Sequence, residues 1–411
     1  MKYGLIGEKL GHSYSKIIHR MLGNSEYELR EIAPNDLDKF MREKDFLGIN
    51  VTIPYKQAVI PYLDEIDESA KNIGAVNTIV NRDGKLYGYN TDYYGMIELF
   101  HHAKVDPHGK KAVILGSGGT SKTAKAVLTT LGAKEILTVS RSGEGDTITY
   151  GELYEKHSNT EIIVNTTPLG MYPNIYGCPI DISKFSSLTG VIDAVYNPIN
   201  TTLVQNARNV GASAEGGLYM LVGQAAVAYD RFFDKEQGSA LIDSIYNKIK
   251  QDKESIVLIG MPASGKSTVG KILAERLGRE FVDTDDLITE RIGMPISDYF
   301  KQEGEEQFRM IEAEVVKELA DKTSLVIATG GGAILKRENV ENLRYNGRLF
   351  FIDRPLKKLV PTESRPLSSD KASIEKRYNE RYSIYCSLCD VYIDADCDAN
   401  GVAERILENY K

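Results

Sequence analysis

Short apolar runs alternate with segments of helical period along almost all of the 411 residues. Residues 2–6 predict a strand and 15–22 a helix. Further strands are predicted at 48–52 and 76–81, and the periodicity of 93–104 predicts a helix leading out of this first group. A second group opens with a strand at 111–115, a glycine turn and a helix at 121–131. Strands at 135–140, 162–165 and 191–194 continue it. The apolar helical stretch 218–234 is expected to return and pack on the first group. An amphipathic helix at 239–250 then runs into a polar charged link, Gln251-Asp-Lys-Glu-Ser255. A strand at 256–260 starts a new domain. Alternation of this kind is the pattern of α/β architecture with mainly parallel sheets.

Composition narrows the reading. The chain is too long for one ordinary core, and 42% hydrophobic with 26% charged residues suits globular domains. A net charge of −8 argues against a nucleic-acid partner. Any anionic ligand must therefore be held by local cations and backbone amides. The first residues lack the apolar run of a signal peptide, and no segment approaches the ~18 apolar residues that span a bilayer. A cytoplasmic protein without a membrane partner is expected. Cys386 and Cys389 form a CxxC, with Cys397 nearby, but all six histidines precede residue 160. A closed four-ligand zinc site is not expected there, and the C-terminal half has no histidine base.

Gly260-Met-Pro-Ala263-Ser-Gly265-Lys266-Ser267-Thr268 matches the phosphate-binding loop, directly after a strand and before a helix. Glycines let backbone N–H groups close around phosphates, and the helix N-terminus adds its dipole. Lys266 would reach the β/γ-phosphates and Ser267 would hold Mg²⁺. The nucleotide site is therefore placed on Gly260, Ala263, Gly265, Lys266, Ser267 and Thr268. Asp283 and Asp285 stand at a strand end, one suited to the metal shell and the other to an acceptor hydroxyl. A lone DxD is more often a solvated turn, and a lone arginine more often a surface charge. Here Gly330-Gly331-Gly332 follows a strand, Arg309 and Arg381 lie on helices, and Arg365 lies in a loop.

Together these motifs resemble shikimate kinase over residues 254–411. The resemblance implies a P-loop kinase using ATP and Mg²⁺. It places Arg309, Gly331 and Arg381 on the shikimate carboxylate and ring, and Asp285 on the reacting hydroxyl. Asp283 would organise the metal with Ser267, and Arg365 would reach the transferring phosphate. The lid reads KKLVPTES, with Lys358 where the family has an arginine against the adenine.

The N-terminal half contains Gly11-His-Ser13-Tyr-Ser15, Gly48-Ile-Asn50-Val-Thr52-Ile-Pro54-Tyr-Lys56, Gly74-Ala-Val-Asn77-Thr78 and Gly88-Tyr-Asn90-Thr91-Asp92. Taken singly these are capping serines, a solvated lysine and turn punctuation. In this order they resemble shikimate dehydrogenase from Tyr3 to about Asp234. The resemblance implies Lys56 and Asp92 as the catalytic pair for reduction of 3-dehydroshikimate, with Ser13, Ser15, Thr52, Asn77, Asp92, Tyr196 and Gln224 on the substrate. Gly116-Ser-Gly118-Gly119 follows a strand. Ser140-Arg141-Ser142 ends the next strand, where an arginine suits the 2′-phosphate of NADP(H) better than the bare ribose of NAD.

The expected architecture is thus α/β throughout. An α/β substrate lobe (1–103, joined by helices near 218–250) carries a Rossmann-type NADP lobe (104–217), and a P-loop kinase domain with a parallel sheet follows (254–411). The expected partners are the small molecules 3-dehydroshikimate and shikimate, with an oligomer left open. Two rivals stay open: a ligand-binding sensor built from these folds, and a quinate-type dehydrogenase paired with another polyol kinase.

Overall fold

The computed structural model describes residues 1–11, 13–359 and 371–410. Leu5 and Ile6 are buried in the strand Tyr3–Gly7, which pairs in parallel with Tyr27–Glu31 on one side and Gly48–Val51 on the other. Beyond Gly48–Val51 the sheet turns antiparallel through the hairpin of Thr78–Arg82 and Lys85–Tyr89. Its turn is Asp83-Gly84, both at positive φ (51° and 86°), the conformation that matches strand twist in a two-residue hairpin. The short strand Glu65–Ile66 closes this mixed, six-stranded sheet.

The second sheet is parallel throughout. Its order is Ser213–Glu215, Gly190–Asp193, Ile162–Asn165, Lys111–Leu115, Glu135–Val139, Thr147–Ile148. Strands Ile162–Asn165 and Gly190–Asp193 are buried at every position, as central parallel strands covered on both faces must be. The order reverses at Lys111–Leu115, which places a ligand crevice at that strand's carboxyl end. The third sheet is also parallel, in the order Phe281–Asp283, Val326–Ala328, Ser255–Ile259, Gly347–Asp353, Val391–Asp394.

The chain divides into two units. Met1–Asn197 and Thr201–Lys248 form the first, and Pro198–Asn200 with Ile249 onward forms the second. Within the first, helices Thr91–His102 and Leu218–Phe233 pack backbone to backbone at Gly95 and Gly223. A Cβ on Gly95 would come within 2.6 Å of Met220 O and 2.8 Å of Gln224 N. Among the described residues no helix is long and apolar enough to cross a membrane.

Several element boundaries differ from the sequence expectation, three of them with bearing on the sites or the domain junction. The helix expected from residue 93 begins at Thr91, because the Asn90 side chain accepts from Tyr93 N and caps it. The helix expected from 121 begins at Gly119. The link expected at 251–255 is instead the last turn of the helix Ser239–Lys253, with Glu254 alone before the next strand. Tertiary partners extend that helix. Arg279 donates to Gln251 O and Glu254 O, and the Tyr410 hydroxyl lies 2.6 Å and 2.8 Å from the same two carbonyls. These donors satisfy carbonyls that a helix end leaves open.

Asp193, at the end of Gly190–Asp193, is fully buried beneath three donors: Asn165 Nδ2 (2.9 Å), Val195 N (3.0 Å) and Thr201 Oγ1 (2.7 Å). Burial outweighs them and pushes its carboxyl up to about 6. A carboxyl raised in the folded state holds its proton more tightly than in the unfolded chain. Its contribution to stability is therefore present below about pH 4 and lost as pH rises through 6, by on the order of 2–3 kcal/mol. Asp193→Asn should flatten the pH dependence of stability between pH 4 and 7, read by urea denaturation of both proteins. Parallel profiles would remove Asp193 as the source.

Candidate active sites

Lys56 follows the strand Gly48–Val51 and a turn, and its backbone carbonyl accepts from Val76 N at 2.8 Å. Its Nζ lies 2.6 Å from Asp92 Oδ2, with both side chains half-buried. Asp92 sits in the first turn of Thr91–His102, where the helix dipole favours a carboxylate. The start of that helix is fixed by Thr91 N, which donates to Asn77 Oδ1 at 2.7 Å. Asn77 Nδ2 is left without a protein acceptor among the described residues.

Beneath this pair runs a buried polar chain. Tyr27 Oη donates to Asn50 Oδ1 (2.7 Å), Asn50 Nδ2 to Thr78 Oγ1 (2.9 Å), and Thr78 Oγ1 lies 3.1 Å from Thr91 Oγ1. His19 stacks on Tyr27 with ring centroids 3.8 Å apart, and burial lowers its pKa to about 3, so it is neutral. Tyr27, His19 and the supporting role of Asn50 were not anticipated. The available signal was Asn50 alone, a polar side chain set inside the otherwise apolar strand Gly48–Val51.

Ser13 and Ser15 come together at the start of Ser15–Met21. Their hydroxyls are 3.1 Å apart, and Ser15 N donates to Ser13 Oγ. Tyr196, just past the buried Asp193, meets Tyr14 edge-on at 5.7 Å and so stands beside this pair. Gln224 is placed one helical turn from Asp92 by the Gly95 contact, with Nε2 donating to Leu221 O. Thr52 is half-buried and lies against Gly7.

At the carboxyl end of Lys111–Leu115 the chain turns at Gly116 (φ 99°) into the helix Gly119–Thr130, whose N-terminus has no side-chain cap. A Cβ on Gly118 or Gly119 would meet nothing within 4 Å. Open space over uncapped N–H groups fits a pyrophosphate. Arg141 is exposed at the end of the neighbouring strand and has no ion pair among the described residues. Ser140 is committed locally, 2.7 Å from Thr147 Oγ1 and accepting from Gly143 N at 2.9 Å, while Ser142 Oγ receives only a long contact from Glu144 N. Of these three side chains Arg141 alone carries a positive charge that could meet a 2′-phosphate.

In the second unit, Ser255–Ile259 leads into a loop with Gly260, Ala263 and Gly265 at φ 148°, 65° and 94°. Such turns aim successive N–H groups inward. Lys266 is buried and folded over the loop, donating to Gly260 O and Met261 O at 2.9 Å each. Ser264 Oγ is buried with no partner among the described residues, as suits a loop shaped around an anion. Ser267 Oγ donates to Asp283 Oδ2 at 2.5 Å, and Asp283 Oδ1 accepts from Asp285 N at 3.0 Å. Hydroxyl and carboxylate held this way fit Mg²⁺. Thr268 follows in the first helical turn.

A cavity of about 480 Å³ opens beside this pair, lined by Asp283, Asp285, Arg309, Gly330–Gly332 and Arg381. The glycines are needed for close approach. A Cβ on Gly330 would lie 2.7 Å from Asp285 Oδ1, and one on Gly332 would lie 2.4 Å from Arg309 Nη1 and Nη2. Arg309 lies on Ile296–Glu318, which breaks at Gly304 (φ 84°) and so re-aims its second half. It pairs with Glu312 (2.7 Å) and Glu305 (3.0 Å). Glu312 is almost fully buried, and its other oxygen has no partner among the described residues; burial pushes this carboxyl up against the pull of Arg309. Arg381 Nη1 donates to Gly331 O at 2.9 Å. Glu312 and Arg377, both on the cavity wall, were missed. Their helical spacings, three from Arg309 and four from Arg381, were readable. Lys358 pairs with Asp396 at the surface, and Arg365 lies outside the described residues.

Two enzyme classes are defined here: a Rossmann-type oxidoreductase with a lysine–aspartate pair, and a P-loop kinase with an arginine-lined acceptor cavity. The family model "Shikimate dehydrogenase substrate binding domain" matches residues 5–79, and "Shikimate kinase" matches 262–411. Shikimate dehydrogenase (NADP(+)) of Clostridium beijerinckii is 39% identical over 260 residues, covering 60% of this chain and 96% of the relative. Two solved structures are similar over 61% of the chain. One is a chorismate mutase/shikimate 5-dehydrogenase fusion from Clostridium acetobutylicum (36% identity, 97% of it covered, TM-score 0.56). The other is shikimate dehydrogenase 1 from Peptoclostridium difficile (38%, 98%, 0.55). The chain belongs to the shikimate dehydrogenase family and carries a shikimate kinase domain at its C-terminal end.

Proposed function

We infer that this chain is a bifunctional enzyme. It reduces 3-dehydroshikimate to shikimate with NADPH and phosphorylates shikimate at the 3-hydroxyl with ATP. The observation that carries the reading is the coexistence in one chain of an assembled Lys56–Asp92 pair and an assembled Ser267–Asp283 pair beside an arginine-lined cavity. Residues 1–103, with the helices near 218–250, serve as the substrate lobe, 104–217 as the NADP lobe, and 254–411 as the kinase. The cytoplasm is the setting both soluble substrates suit.

NADPH supplies hydride in the first reaction; in the second, ATP supplies the phosphoryl group and Mg²⁺ neutralises its charge. In the first site, Ser13 and Ser15 hold the substrate carboxylate, while Thr52, Asn77, Tyr196 and Gln224 orient the ring. Asn77 can donate through Nδ2 because its oxygen is already committed to Thr91. Lys56 Nζ donates a proton to the carbonyl oxygen as charge grows there, and Asp92 holds the ammonium in line. Gly116, Gly118 and Gly119 admit the pyrophosphate, and Arg141 takes the 2′-phosphate. In the second site, Gly260–Thr268 cradles the phosphates, with Lys266 swinging from its own loop carbonyls to the β/γ oxygens. Arg309, Arg381 and Gly331 hold shikimate, and Asp285 accepts from its 3-hydroxyl. The protein contributes positioning and charge stabilisation.

Full-length protein given 3-dehydroshikimate and NADPH should accumulate shikimate. Adding ATP–Mg²⁺ should convert it to shikimate 3-phosphate. A charge-assisted contact to phosphate is worth ~1.5–3 kcal/mol, so NADPH should be preferred over NADH by roughly 10–150-fold. No NADPH oxidation, or no phosphorylation of added shikimate, would defeat the corresponding half.

A further inference from the structure

Tyr385 lies on the helix Lys371–Leu388 and is completely buried. Its hydroxyl stands 2.5 Å from Gly331 O and 3.0 Å from Gly260 O. These carbonyls belong to different loops. Gly260 begins the loop that holds the nucleotide phosphates, and Gly331 is the middle of the glycine run that faces the acceptor. Each carbonyl also receives a cation: Lys266 at Gly260 O, and Arg381 at Gly331 O. The phenol therefore sits midway in a continuous hydrogen-bonded line, Lys266–Gly260–Tyr385–Gly331–Arg381, whose ends are the phosphate-binding lysine and the acceptor-binding arginine. A second contact joins the same loops. A Cβ on Gly331 would lie 2.7 Å from Pro262 Cδ and 2.9 Å from Cγ, so the glycine run is seated on the phosphate loop with no room for a side chain. Burial also raises the phenol's pKa, keeping it protonated.

We propose that Tyr385 is a positioning residue for phosphoryl transfer: it sets the distance between the nucleotide loop and the acceptor loop by bridging their carbonyls. The inference rests on the kinase reading above and deepens it. Tyr385 touches neither ligand. Its single proton serves one carbonyl at a time, but the oxygen stays between both, and the ring, stacked on Phe351 at 5.0 Å, holds it there. Direct phosphoryl transfer tolerates little slack between reacting oxygen and phosphorus, and a misplacement of about 1 Å costs on the order of 10²-fold in rate. A residue of this kind shows itself in turnover and leaves affinity alone.

Tyr385→Phe in the full chain is the test. The ring is kept, and in the ligand-free chain each carbonyl retains its lysine or arginine, so the fold should survive the change. The kcat for shikimate phosphorylation should fall by about 10-fold or more. The KM for shikimate, the KM for ATP and the equilibrium affinity for ADP should stay within about threefold. A variant with unchanged kcat overturns the proposal, as does one whose loss lies in KM alone. Loss of ADP binding together with activity also overturns it, since Tyr385 would then be structural only. Wild-type protein that fails to phosphorylate shikimate defeats the kinase reading itself, whereas an active wild type with an equally active variant defeats this inference alone.

Discussion

Lys56→Ala is expected to lower NADPH-dependent reduction of 3-dehydroshikimate by ~10²–10⁴-fold, the usual cost of removing a general acid. Phosphorylation of added shikimate by the same molecule should be unchanged. The pair it breaks is half-buried, with Nζ 2.6 Å from Asp92 Oδ2. Asp92 retains access to water and its place in the first turn of a capped helix, so the fold should survive. The buried chain from Tyr27 through Asn50 and Thr78 to Thr91 does not pass through Lys56. The measurement is initial rates of both reactions on one preparation. Reduction retained to within a few-fold would move the proton donor elsewhere, and loss of both reactions in a folded protein would defeat the two-site reading.

Lys266→Ala should do the reverse, cutting phosphoryl transfer by on the order of 10²–10³-fold, as loss of one charge-stabilising donor does, with reduction intact. Lys266 is buried and tied to Gly260 O and Met261 O. Its deletion leaves Gly260 O with Tyr385 and strips Met261 O of this donor, so some loosening of the loop accompanies the lost charge. Lys266→Met, which keeps the volume, separates the two effects. If the methionine variant regains turnover, the lysine acts by packing and the assignment fails.

The phosphate loop was legible in sequence because all its parts lie within nine consecutive residues, bounded by a strand and a helix whose patterns are plain. Lys56 and Asp92 were legible only through motif resemblance. Thirty-six residues separate them, and nothing in spacing alone says that they meet at hydrogen-bond distance. Several of the features that escaped are decided by a partner distant in the chain. The helix running to Lys253 is held by Arg279 and Tyr410, while local polarity at 251–255 reads as a link. The antiparallel hairpin in the first sheet turns on Asp83-Gly84, a signal that was present and not weighed. Tyr385 looks like one more apolar position of a late helix until Gly260 and Gly331 are brought to its hydroxyl. Lys358 stands at the expected place for an adenine contact, but Asp396, 38 residues on, takes its charge.

The capping of Gln251 and Glu254 by Tyr410 has a consequence for how the protein is made. The phenol and the carbonyl of Gln251 are 159 residues apart. A ribosome adding ~5–20 residues per second needs roughly 10–30 s to produce the second after the first. For that interval the end of the helix Ser239–Lys253 lacks a donor it has in the finished protein, and the central strand Ser255–Ile259 waits for Gly347–Asp353. The first sheets, whose strands all precede residue 216, carry no such debt to the distal sequence. Synthesis therefore completes the strands of the first two sheets well before those of the third. A gene cut after codon 250 would begin the kinase fragment at the very carbonyls that Tyr410 arrives last to cap.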